Sequence, residues 1–182
     1  ERSVPSMRRS ISREKHEPNQ EYLASREAAV EALSRPDLTA SLDPAKATLS
    51  EYVIAFLADI PVRSRLITLT CLNDGTVGIY YSSGETLPRI GRSGKRLPPA
   101  CKLILSRLGA IAGSGMAVNE VESISSANGA RKTRVYFRCI DGIRRVDYDM
   151  DRLGECDDGI RSLDTMIKDL LRMIRRSKER TF

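Results

Sequence analysis

Apolar positions along this chain alternate, cluster or recur at helical spacing in a definite order, and each pattern predicts an element. Residues 1–18 mix Arg, Ser, Glu and Pro without any period, which predicts a flexible arm. From Asn19 to Arg35 a weak apolar side of Tyr22, Leu23, Ala29, Val30 and Leu33 predicts a helix; Pro36 stops it and 36–42 reads as linker. Asp43-Pro44 is a strong helix start, with Asp as cap and Pro at the first helical position. Leu49, Tyr52, Val53, Phe56, Leu57 and Ile60 follow at helical spacing as far as Pro61. Arg65 to Leu72 then alternates, Asn73-Asp74-Gly75 turns the chain, and Thr76 to Ser82 returns with Val77, Ile79 and Tyr81 inward, which predicts a hairpin.

The second half repeats the grammar. Ser83 to Leu97 reads as a long glycine-containing loop. Pro98-Pro99 opens a helix with Cys101, Ile104, Leu105, Leu108 and Ile111 on one face, closed by Gly113-Ser114-Gly115. Val118 to Ser125 is a weaker strand. Asn128-Gly129 and Asp141-Gly142 tolerate positive φ and suit tight turns, which predicts strands over Arg131 to Ile140 and Ile143 to Met150. Asp158 to Ser177 closes the chain with a stripe of Leu163, Met166, Ile167, Leu170, Leu171 and Ile174. The expected fold is α+β: a five-stranded antiparallel sheet with flanking helices in the order α-ββ-α-βββ-α. It occupies 43–182, behind the arm (1–18) and an extra helix with its linker (19–42).

Between Asp43 and Ser177 this element order and its turn positions resemble the roadblock/dynein light chain module, one of the profilin-like folds. The resemblance implies a scaffold, adaptor or small regulator that often forms homodimers, and it carries over no residue motif.

Composition removes whole classes of chemistry. His16 is the only histidine and lies in the arm, which leaves no positioned imidazole for a Ser-His-Asp, Cys-His or histidine-metal site. The four cysteines at 71, 101, 139 and 156 form no CxxC pair. Buried thiols in a reducing, cytoplasmic setting are therefore the expectation. Arg96 follows Gly94-Lys95 where a phosphate loop needs Ser or Thr, and Val118 replaces the third glycine of a dinucleotide fingerprint after Gly113-Ser114-Gly115. Asp147, Asp149 and Asp151 share a strand face that suits a hard cation, but neighbouring arginines supply an ordinary charge balance. No metal, cofactor, membrane span or secretion signal is expected, and neither is enzymatic activity.

Charge locates the surfaces worth testing. The chain carries a formal +6, and residues 1–39 hold equal numbers of basic and acidic side chains, so the excess belongs to the remainder. Besides the solvated end of the last helix, Arg172 to Arg180, two places concentrate it. The first is the loop before Pro98, where Arg89, Ile90, Arg92, Lys95 and Arg96 mix cations with an apolar anchor suited to an acidic protein partner. The second is the hairpin built on Asp141-Gly142. With that two-residue turn Phe137 meets Val146 and Val135 meets Tyr148, while Arg138 opposes Arg145 on the other face. There Tyr136, between Arg134 and Arg138 and beside Arg145, resembles the aromatic-plus-cation pattern that stacks bases. The leading expectation is a non-enzymatic protein-interaction or regulatory module, of scaffold, adaptor or immunity type. The alternative is an RNA- or single-stranded-DNA-binding module.

Overall fold

The structure, a computed structural model, describes residues 18–36, 52–62, 65–90, 97–114, 118–125 and 132–179. Among these, seven strands form one antiparallel sheet in the order β4-β3-β2-β1-β6-β7-β5. The strands are β1 (Val53–Val62), β2 (Arg65–Leu72), β3 (Val77–Tyr81), β4 (Thr86–Ile90), β5 (Asn119–Val121), β6 (Thr133–Cys139) and β7 (Gly142–Tyr148). Helices α2 (Leu97–Gly113) and α3 (Asp158–Glu179) cover one face, and α1 (Gln20–Ser34) covers the other.

The expected α+β class and antiparallel sheet are present, with two strands more than the predicted five. The first is β1. The predicted helix reaching Ile60 is corrected: Val53–Val62 is the central strand, and Pro44 to Glu51 lie outside the described residues. The physical reason is the absence of a polar face. Every residue from Val53 to Ile60 is buried, Asp59 included. A surface helix needs a solvated side, whereas a strand covered on both faces reads as one continuous apolar run. Pro61 fits because pairing with β6 ends at Asp59↔Arg134, leaving only β2 beside it.

The second addition is β4, inside the stretch read as a loop. It pairs with β3, and one extra residue is accommodated between Leu87 and Ile90. A strand containing Pro88 is tolerated there because it lies at a bulge on the sheet edge. The β2–β3 hairpin matches its alternation, with Gly75 supplying φ 85° at the turn.

Two pairings differ from expectation. β5 pairs with β7, so the turn expected at Asn128-Gly129 (itself outside the described residues) does not join two neighbouring strands. The β6–β7 register is shifted by two residues: Val135 faces Val146, Arg134 faces Asp147 and Tyr136 faces Arg145, with Ile140 and Asp141 forming the turn. A two-residue shift keeps every side chain on its face, so alternation cannot detect it. It does replace the Arg138–Arg145 opposition with an Arg134–Asp147 pair, the better arrangement electrostatically.

The larger core joins the apolar faces of α2 and α3 to Val53, Phe56, Leu69, Ile79, Val135 and Phe137. Cys101, Ile104, Leu105, Leu108 and Ile111 all point into it from α2, as do Leu163, Ile167, Leu170 and Ile174 from α3. Burying side chains of this size contributes about 1.5–3 kcal/mol each. The α1 side is smaller and more polar: Ala29 and Leu33 pack on Ala55, Leu57 and Tyr136.

Candidate functional site

The α1 face is held by a chain of buried polar groups. Tyr22 on α1 shares a 2.7 Å hydrogen bond with Thr68 on β2, and the Thr68 hydroxyl donates to Asp59 on β1 at 2.6 Å. Because the single Thr68 proton goes to Asp59, the Tyr22 hydroxyl must be the donor to Thr68. Arg26, 5 % exposed, donates to both oxygens of Asp59 at 3.1 and 2.6 Å, and to the Ser125 carbonyl at 2.9 Å. Burial pulls the Arg26 guanidinium down, but its bond to Asp59 and the charge there leave it raised overall. Burial pushes the Tyr22 phenol up to about 12.

The chain continues into the basic hairpin. Ser125 Oγ lies 2.5 Å from the Tyr136 hydroxyl and accepts from Arg134 at 3.3 Å. Arg134 and Arg145 share one carboxylate, Asp147, at 3.2 and 3.4 Å. Arg138 lies between Ala55 and Ile143 and has no acidic partner among the described residues. The structure thus brings Arg134, Tyr136, Arg138 and Arg145 onto one face, as expected. It also places the Tyr136 ring at 0 % exposure, beneath α1 and Ile124, with no open face for a base. Of the acidic trio, Asp147 is engaged by arginines and Asp149 caps the 3-10 turn Met150–Glu155 by accepting from Asp151 N.

A second cluster escaped sequence reasoning. At the β6–β7 turn the Tyr52 hydroxyl donates to Asp141 at 2.6 Å, and Arg144 donates to the same oxygen at 2.9 Å. The guanidinium of Arg144 sits 5.4 Å from the Tyr52 ring centroid, a cation–π distance. Burial and the bond to Asp141 push Tyr52 up to about 12. Arg144 lines both a shallow cavity of about 390 Å³, shared with Glu120, Glu122 and Asp141 among others, and a cleft of about 150 Å³ that includes Gly109 and Ala112. The trio joins the residue before β1, the β6–β7 turn and β7, and no local sequence pattern signals it.

Of the remaining expected site residues, Arg89 and Ile90 lie in β4, and Arg92, Lys95 and Arg96 fall outside the described residues. The four cysteines are free, and Cys71, Cys101 and Cys139 are buried. Among the described residues no group of three or more His, Cys, Asp or Glu side chains is placed to hold a metal ion, and no helix is long and apolar enough to cross a membrane. Comparison of the chain with protein-family models, with characterised proteins and with solved structures found no match.

Proposed function

We propose that this chain is a non-enzymatic interaction module that recognises an acidic protein partner along β4 and the basic segment that follows it. One observation carries the reading: β4 pairs on one side only, with β3, so its outer edge is an unused row of backbone donors and acceptors among the described residues. Such an edge accepts an added strand, and main-chain hydrogen bonds supply affinity there. Arg89 lies within β4, and Arg92, Lys95 and Arg96 follow within six residues of Ile90, which selects for carboxylates. The scaffold or regulator role implied by the roadblock resemblance agrees with this reading.

The test is affinity isolation from nuclease-treated extract at about 100 mM salt, where charge pairs at an interface are only partly screened. Wild-type chain retains a protein that the combined Arg89→Gln, Arg92→Gln, Lys95→Gln, Arg96→Gln variant loses. Equal retention by both baits overturns the reading.

A second reading rests on Arg138. A guanidinium without an acidic partner, beside two arginines that share one carboxylate, suits the phosphates of RNA or single-stranded DNA. With Tyr136 buried, contact would run through the arginines alone.

A further inference from the structure

We propose that α1 is a releasable strap that closes the Tyr136 face of the sheet, and that Arg26 couples its release to that of segment 122–125. Helices α2 and α3 are anchored by apolar stripes, five and more residues deep, in the larger core. The buried set of α1 is Tyr22, Arg26, Ala29 and Leu33, and two of those four are seated by polar bonds. Polar anchoring is readily exchanged for water, since a solvated arginine and carboxylate lose little on separating, whereas apolar stripes have no such substitute. The opposite face keeps its own core whether or not α1 is docked.

Arg26 makes this more than a weakly held helix. The same Nη2 that grips Asp59 also holds the Ser125 carbonyl. Segment 122–125 belongs to no strand or helix, and Ser125 and Ile124 close over Tyr136. When α1 leaves, Tyr136 loses Ala29 and Leu33 from above, and Ser125 loses its tie to α1. The face uncovered carries Tyr136 with Arg134, Arg138 and Arg145 against Asp147, a basic aromatic surface that is closed while the strap is down.

Tyrosine nitration of the full chain by tetranitromethane, mapped by mass spectrometry, reads both halves of this proposal. Tyr22 is on the inner face of the strap and Tyr136 lies beneath it, whereas Tyr148 is buried on the α3 side and reports the rest of the fold. In Arg26→Ala, nitration of Tyr22 and Tyr136 rises together by at least about tenfold while Tyr148 stays protected, as sub-global opening requires. Arg26→Lys, which keeps the charge but loses the fork, falls between. Should Arg26→Ala fail to fold, wild-type chain in rising urea decides: Tyr22 and Tyr136 become reactive at one concentration, below that which exposes Tyr148. The proposal is overturned if Tyr148 moves with them, if Tyr22 reacts while Tyr136 stays protected, or if Tyr22 remains protected in both arms.

Discussion

Raising the pH from 9 to 12 strips this protein of most of its stability. Tyr22 is held protonated to about 12 from an ordinary value of 10, chiefly by burial. Burial likewise raises the Cys139 thiol to about 12 from 9, and Tyr148 is raised well beyond its usual range by burial and by the Asp164 carboxylate beside it. Each of these groups binds its proton more tightly when folded. Their stabilisation is therefore complete below the unfolded values, near 9 for the thiol and 10 for the phenols, and is lost as pH climbs through the folded ones. At about 1.4 kcal/mol per tenfold in proton affinity, Tyr22 forfeits about 3 kcal/mol and Cys139 about 4 kcal/mol. A domain of ordinary stability holds about 5–15 kcal/mol in all. Urea midpoints measured at pH 8, 10, 11 and 12 fall steeply beyond 10, and the absorbance of the Tyr22 and Tyr148 phenolates emerges only with unfolding. Ionisation of all six tyrosines near their ordinary value, with the far-ultraviolet signal intact, would contradict this account of the buried hydroxyls.

The second large effect belongs to Asp59→Ala. Asp59 is 2 % exposed and accepts from Arg26 twice and from Thr68 once. Removing it leaves a buried guanidinium with only the Ser125 carbonyl, and breaking one side of a buried pair costs about 3–5 kcal/mol. The loss measured by equilibrium urea denaturation falls at the low end of that range, because undocking of α1 returns Arg26 to water and caps the penalty. Asp59→Asn, which keeps an acceptor for Thr68 and Arg26, loses less. A loss under 1 kcal/mol for Asp59→Ala would mean that the pair does not hold α1.

Much of the fold was legible because its signals are local. The β2–β3 hairpin is written in the alternation of Ile67, Leu69 and Cys71 and in Asn73-Asp74-Gly75, and α2 and α3 in stripes that the core uses almost intact. β1 was misread because eight buried residues in a row satisfy helical and strand spacing alike, and only partners on both faces distinguish them. β4 was hidden by Pro88, which forbids a central strand and permits an edge. The most consequential residue, Arg26, looks like a solvent-facing charge on an amphipathic helix. Its burial depends on Asp59, thirty-three positions away, and no local pattern reports such a pairing. The Tyr52–Asp141–Arg144 cluster was invisible for the same reason, since its members meet only once β1 is known to be a strand.

The central claim, recognition of an acidic partner along the β4 edge, is tested most directly by hydrogen exchange of the full chain with and without the isolated partner. The account predicts slower exchange across 86–90 on binding, with β6 and β7 unchanged, because an added strand ties up the outer amides of β4. Protection confined to β6 and β7, or none at 86–90, would contradict it.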